Sequence, residues 1–342
     1  MWFSPTALAR NISISQTWMI VAIAGALAIG APARAEVSAD DAKSGIVECA
    51  PALLKDHNPG LADGPDQLIC FQGYISNFNT KSRKDWGKDI HVGVPHWVAH
   101  HIKRLSPPPV SGERPSTWFT MPELADKSIA PTDASYAFSS AFEKTHKNWY
   151  ERGHLAQKYL VERLGQKAAL YTHNVVNAVP QLSQFNKGPW LTLECVTGAW
   201  ANKYGEVWVI AGPVFKKNHP IVWLRSDKNK KALPVAIPVG IFKIVVRKDG
   251  DQWDVLAFIY PQNHKSYQKG PYDPEVWLKS VADIEQLTGE QFLRIAECRA
   301  AQAENRGEDL AGREIRFRRS GLQVAAGGLQ IGRELVKTPM DS

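Results

Sequence analysis

The chain is poor in cysteine, with four in 342 residues, and none falls in a CxxC or Cys/His spacing, so a structural zinc site is not what organises it. It also lacks the ~20 consecutive apolar residues that a bilayer-spanning helix needs; the run from Trp18 to Gly30 is shorter than that. Glycine-rich phosphate loops of the P-loop or dinucleotide-binding kind are missing, and no segment recurs with the period of a solenoid or propeller. Charge of one sign is scarce too. Lys+Arg 41 against Asp+Glu 34 leaves a net charge of +7, which suits a polyanionic partner without demanding one.

What is present divides the chain into four parts. Residues 1–35 read as an export signal: Arg10 precedes the apolar run, and Ala33-Arg34-Ala35 offers small residues around a cleavage point before Glu36. An uncleaved anchor or a disordered leader is the alternative. The expected location is secreted or periplasmic, an oxidising setting that permits disulfides. Cys49, Cys70, Cys195 and Cys298 allow three connectivities. Cys49 with Cys70 is the expected pair, since both precede the core, which leaves Cys195 for Cys298; free buried thiols are the alternative. Residues 36–69 form an N-terminal arm rich in turn formers, Asn58-Pro59-Gly60 and Asp63-Gly64-Pro65. Residues 70–300 form the main domain, and residues 301–342, with Arg313, Arg316, Arg318 and Arg319, a flexible basic tail.

Within the domain, twelve Trp and twelve Phe indicate a well-packed globule. Pro95-His96-Trp97-Val98-Ala99 reads as a strand, residues 111–148 as a long connection, and Val207 to Phe215 as a buried strand. Ile237–Arg247 and Trp253–Tyr260 read as a hairpin joined by Lys248-Asp249-Gly250-Asp251. Val281, Ile284 and Leu287 fall at helical spacing before the Thr288-Gly289 break, and Phe292, Ile295 and Ala296 continue it.

The chemistry lies between. Glu151-Arg152-Gly153-His154 puts an imidazole, able to take a proton near neutrality, two residues after an arginine. On a strand the two side chains share a face, and Gly153 lets backbone or substrate come close. Asn177 and Asn186 offer neutral carbonyl oxygens, hard ligands of the kind Mg²⁺ accepts. Pro189 suits a first helical turn, and Glu194 then stands about two turns beyond Asn186 and roughly 80° round the axis. The plain alternative is an N-capped amphipathic helix with a surface glutamate.

Together with Asn177-Ala178-Val179-Pro180-Gln181, Asn186-Lys187-Gly188-Pro189-Trp190 and Glu194, this stretch resembles the DNA/RNA non-specific endonuclease family, the ββα-metal nucleases with a (D/E)RGH signature. The likeness extends to Pro95-His96-Trp97-Val98, Gly212-Pro213-Val214-Phe215, Phe242-Lys243 and Leu287-Thr288-Gly289. It implies an α+β fold, a mostly antiparallel sheet flanked by helices, with a ββα-metal (His-Me finger) unit over residues 148–204. It implies His154 as general base, Asn186 as the direct ligand of Mg²⁺, and Glu194 and Asn177 holding the ion's water and the site geometry. Arg152 and Arg114 would stabilise phosphate charge. Glu151 stands where the family has Asp, a longer brace that could shift metal preference toward Mn²⁺. The implied activity is internal cleavage of DNA and RNA to 5′-phosphate ends. DNA and RNA are the expected partners, a homodimer is left open, and no stable membrane association is expected.

Other features carry plainer readings. His96, His100 and His101 lie on a strand rather than at the helical spacing of a metal pair. Lys216-Lys217 and the lysines from Lys228 to Lys231 read as solvated charge, the alternative being that they track a nucleic-acid backbone, and Tyr171 and Trp190 belong to the core. The rival functions are a catalytically silent nucleic-acid-binding protein on the same scaffold and a phosphodiesterase for small diesters.

Overall fold

The computed structural model describes residues 45–64, 66–104, 114–139, 149–216, 219–250, 252–262, 267, 270 and 272–293. The expected leader, the basic tail and Cys298 lie outside them. The chain divides into two units, Met1–Arg34 and Ala35–Ser342, and every described residue belongs to the second.

The frame is one eight-stranded antiparallel sheet. Its strands are β1 (Ile46–Val47), β2 (Gln67–Phe71), β3 (Tyr74–Phe78), β6 (Pro95–Lys103), β9 (Glu206–Val214), β12 (Gly240–Asp249), β13 (Gln252–Pro261) and β14 (Leu278–Lys279), and they lie side by side in that order. Three two-stranded ribbons flank it: β4 (Ser82–Asp85) with β5 (Lys88–His91), β7 (Tyr150–His154) with β8 (Ala178–Leu182), and β10 (Val222–Leu224) with β11 (Val235–Ile237). This is an α+β fold with a mostly antiparallel sheet.

Both faces of the sheet are covered, which is why its inner strands read as near-continuous apolar runs. Ile241 and Val245 of β12 face one way, against Leu193, Trp200 and Ala201 of helix α2 (Leu191–Tyr204). Phe242, Ile244 and Val246 face the other, with Val281 and Ile284 of helix α3 (Val281–Thr288), and Leu53 and Leu54 of helix α1 (Pro51–His57) packed beside them. Each such side chain, fully buried, contributes on the order of 1.5–3 kcal/mol. Helix α3 has a capping box, Ser280 with Asp283, and ends at Gly289 in the left-handed region (φ 80°).

Several expectations need amendment. The segment expected to be a loose arm supplies β1, α1 and the start of β2, and Leu61, 0% exposed, is core. Pro238 has no N–H for a ladder, so Ile237 ends β11 and β12 begins at Gly240. Of the continuation expected after Gly289, residues 290–293 are not helical and Phe292 bridges Ala62, while Ile295 and Ala296 lie outside the described residues. Cys49 pairs with Cys70. Cys195, on α2, is a free cysteine, so the expected bond to Cys298 is not formed; burial pushes its thiol up to about 11.

Candidate active site

The ribbon β7–β8 is built around one missing side chain. Its register pairs Glu151 with Gln181, Gly153 with Val179 and His154 with Ala178. A Cβ on Gly153 would stand 2.0 Å from the Gln181 side chain, so the glycine makes room for Gln181 rather than for substrate. Arg152 and His154 share a face, as alternation requires, and Trp118 touches both: its ring is 4.5 Å from His154 and 5.5 Å from the Arg152 guanidinium. Arg152 donates to Asp133, whose Oδ1 also accepts from the backbone N–H of Trp118 at 2.8 Å.

Asn177 locks the chain leaving His154. Its Oδ1 accepts from Ala156 N at 2.8 Å, and its Nδ2 donates to the carbonyls of Ala156 and Thr172, both at 2.9 Å. It is 0% exposed. Its amide is turned to backbone, so the part of its expected role that these bonds serve is holding the site geometry.

His154 is partly exposed, yet its Nε2 is sealed from solvent and makes no hydrogen bond. Burial holds its pKa well below the usual histidine range, and the nearby His173, Arg114, Arg152 and Lys158 push the same way. His173 stands edge-on at 4.8 Å and is itself driven down to about 4, mainly by burial and then by Arg114. Both rings are therefore neutral near pH 7.

The helix after β8 departs from the regular one expected. Ser183–Phe185 is a single helical turn, Asn186–Trp190 is a π segment with Gly188 off helical geometry (φ −107°, ψ −106°), and α2 follows. Pro189 has no N–H for the ladder and forces the break, so the rotation from Asn186 to Glu194 is not that of an ideal helix. Wide turns of this type gather at functional sites. Asn186 donates through Nδ2 to Glu151 Oε2 at 2.9 Å, which fixes the amide and leaves its carbonyl oxygen as the atom not used in that bond. The other oxygen of Glu151 accepts from Ser183 Oγ at 3.0 Å and Lys187 Nζ at 2.6 Å.

Beneath lies a buried pair of which only Glu194 is expected at the site; Lys243 enters the sequence reading through the Phe242-Lys243 likeness alone, with no role. Glu194 is 4% exposed and Lys243 1%. Lys243 sits on β12 opposite Ala211 and Phe258, with its ammonium 4.1 Å from the Trp190 ring centroid. Burial pushes the Glu194 carboxyl up to about 7, against the pull of Lys243, a Trp190 hydrogen bond and Arg114. Burial also drives the Lys243 ammonium down to about 8, with Glu194 opposing. The Trp190 indole also donates to the His154 carbonyl at 3.2 Å, which ties the pair to β7. The charge of Arg114 pushes His154, His173 and Glu194 downward alike, in the same direction as Arg152 at His154. The sequence signal for Lys243 is a lone cation at an inward position of an apolar strand.

Among the described residues no group of three or more His, Cys, Asp or Glu could cage a metal. What the site offers is one oriented amide oxygen, two carboxylates, and a buried Gln181 whose amide atoms have no hydrogen-bond partner. That donor set fits a hard cation that keeps most of its water.

Residues 62–298 match the family described as DNA/RNA non-specific endonuclease. The chain belongs to this family. It is 28% identical to "Nuclease EXOG, mitochondrial" of Danio rerio, over 58% of this chain and 55% of that protein. It is 23% identical to "Mitochondrial nuclease" of Saccharomyces cerevisiae, over 58% and 60%, and 24% identical to "Endonuclease G, mitochondrial" of Homo sapiens, over 70% and 73%. The chain spans about half the length of the first two of these relatives. A solved structure described as "Crystal structure of the EndoG/EndoGI complex: Mechanism of EndoG inhibition" covers 70% of this chain and 89% of its own, with TM-score 0.49 and 21% identity. Seen as a DNA/RNA non-specific endonuclease, the chain carries its signature on β7 and the helical limb of its ββα unit in α2. One expectation is overturned: these relatives are named mitochondrial nucleases, which points away from a secreted or periplasmic location.

Proposed function

We propose that the chain is a metal-dependent endonuclease that hydrolyses internal phosphodiester bonds of DNA and RNA and leaves 5′-phosphate ends. The observation that supports this best is the partly exposed imidazole of His154, held neutral on the same ribbon whose Glu151 fixes Asn186. A neutral imidazole without a competing partner is free to take a proton from the attacking water. Arg152 and Arg114 offset the charge that grows on the phosphoryl oxygens. Asn177 keeps the backbone after His154 in place, a positioning role.

Asn186 is the residue that would hold Mg²⁺ or Mn²⁺ directly, with Glu194 facing the ion's hydration shell. When bound, the ion would supply Lewis-acid charge at the phosphate. Contacts of this kind read phosphate and not base sequence, so cleavage should be non-specific. The test is digestion of supercoiled plasmid and ribosomal RNA with Mg²⁺, with EDTA, and by His154→Ala. Loss of both polymers that requires metal and histidine supports the reading. Intact polymers under every metal would leave a silent binding protein or a small-diester phosphodiesterase.

A further inference from the structure

Beyond the ββα unit, the ribbon β4–β5 has a tip that its turn chemistry does not explain. Trp86 and Gly87 form its turn with φ of 49° and 75°, the left-handed pair for which Asn-Gly is the cheap solution. A bulky aromatic there is strained, and Trp86 is left 54% exposed instead of being buried in return. It is nevertheless held in place. The Arg225 guanidinium lies 4.1 Å from its ring centroid and the Trp223 ring 5.7 Å away. Asp85 fixes both neighbours, accepting from Trp86 N at 2.8 Å through Oδ1 and from the Trp223 indole through Oδ2.

The charge around this tip is one-sided. Arg83, Lys84 and Lys88 are exposed on the ribbon, and Lys228, Lys230 and Lys231 on the loop after β10. The acids among them are engaged: Asp85 as described, and Asp227 by Ser139, through N at 2.8 Å and Oγ at 2.5 Å. Asp89 faces Lys84 across the ribbon.

The patch is also tied to the candidate active site. Ser226 Oγ donates to the Ala137 carbonyl, and residues 137–139 directly follow the single turn Asp133–Tyr136, whose Asp133 holds Arg152. Ala236 N of β11 donates to Val92 O just past β5, at 2.9 Å, and β11 packs beside β8.

We infer that Trp86, Arg225 and the lysines of residues 228–231 form an anchoring site for a single-stranded stretch of nucleic acid running on from the scissile phosphate. Trp86 stacks on an unpaired base while the cations follow the backbone. In a duplex the base faces are already covered, so stacking selects the single strand. The choice of nucleic acid over another polyanion rests on the nuclease reading; the existence of the patch does not.

The experiment uses the full chain and three variants: Trp86→Ala, Trp86→Phe, and Lys228→Gln/Lys230→Gln/Lys231→Gln. Each is assayed for KM and kcat on single-stranded and duplex DNA, and for hydrolysis of bis(p-nitrophenyl) phosphate. Binding of a fluorescein-labelled oligodeoxynucleotide is followed by anisotropy in the His154→Ala background. Trp86→Ala should raise the single-strand KM about tenfold and weaken binding equally, with kcat, duplex KM and the small diester unchanged, and Trp86→Phe should restore affinity. The triple variant should flatten the salt dependence of binding, by about one unit of slope for each phosphate its lysines no longer neutralise. Unchanged single-strand affinity in both Trp86→Ala and the triple variant overturns the proposal, as does equal weakening on duplex, or displacement of the oligonucleotide by polyglutamate at equal charge. If the wild-type chain cleaves no polymer, the nuclease reading fails on its own, and anisotropy still decides the anchoring site.

Discussion

Two groups of histidine divide this molecule. On β6, each ring nitrogen of His96 and His101 lies beside a carboxylate: His96 between Asp66 (3.3 Å) and Glu290 (2.8 Å), and His101 between Asp56 (3.1 Å) and Glu206 (3.0 Å). His101 also stacks on Trp208 with centroids 4.4 Å apart. On β7, His154 has an unpartnered Nε2, and its neighbour His173 is in the same condition. The first group ties α1 and the segments around β2 and α3 to the sheet and has no lone pair to spare. The second is held chiefly by aromatic contacts, so its chemistry is unspent. Lack of a partner is not sufficient, however. Neither ring nitrogen of His100 has a partner either, but that residue is 1% exposed and sealed in the sheet; His154 differs in being reachable.

The largest effect should separate the groups outright. His154→Ala should lower kcat by about 10² to 10⁴ if it is the base, with thermal unfolding little changed. His101→Ala should do the opposite, lowering Tm while the rate per folded molecule stays at wild type. Steady-state kinetics and melting curves on both variants check this. A kcat loss in His101→Ala equal to that in His154→Ala would dissolve the distinction.

The buried pair under His154 gives a pH signature in the metal-free protein. Glu194 has a folded-state pKa of about 7 against an ordinary value of 4.5, so the folded state holds the proton longer, and stability falls as pH rises through that window. Lys243 has about 8 against 10.5; there the unfolded state holds more protons, and stability climbs again as pH rises from 8 to 10.5. A minimum near pH 7 to 8 is expected, with limbs on the order of a few kcal/mol. Glu194→Gln should flatten the acid limb and Lys243→Met the alkaline one, read by urea denaturation in EDTA. Limbs that persist in both variants would assign the slope to other groups.

Next come the metal-side residues. Asn186→Ala should raise the Mg²⁺ concentration needed for half-maximal rate, and Glu151→Gln, which keeps the shape but weakens the hold on the Asn186 amide, should weaken metal affinity by about 10- to 100-fold. Titrating Mg²⁺ against initial rate measures both. A wild-type metal optimum in Asn186→Ala would remove it as the ligand.

The parts that the sequence makes legible are those whose meaning is local. Alternation on β7 places Arg152 and His154 on one side, and the apolar runs mark β6, β9, β12 and β13. The rest depends on sheet register and on breaks in regularity. Lys243 lies far from Glu194 in sequence and reaches it only because β12 lies beside β9 under α2. His173 and Trp118 arrive through loops that carry no periodic signal. The kink at Gly188 defeats ideal helix geometry, and the early segment 46–71 reads as an arm because its strands are short and its turn formers dense. Gly153 is legible as a close approach, but the group that approaches is Gln181, set by β8.

The smallest effect is the sharpest test of the clamped group. His96→Gln preserves one hydrogen bond of the imidazole but cannot span from Asp66 to Glu290, whose contacts lie on opposite edges of the ring. One carboxylate is then left without its partner at a site where both are only 12% and 9% exposed. The expected loss is about 1 to 2 kcal/mol, seen as a lower denaturation midpoint with an unchanged m-value. Because Glu290 follows the Gly289 cap of α3 and Asp66 precedes β2, the loosening should appear as faster amide exchange at those two segments, leaving β7 and α2 protected. The Mg²⁺ dependence and kcat should match wild type. A fall in kcat with no change in exchange would place His96 in the chemistry and make the division between clamped and open histidines one of degree.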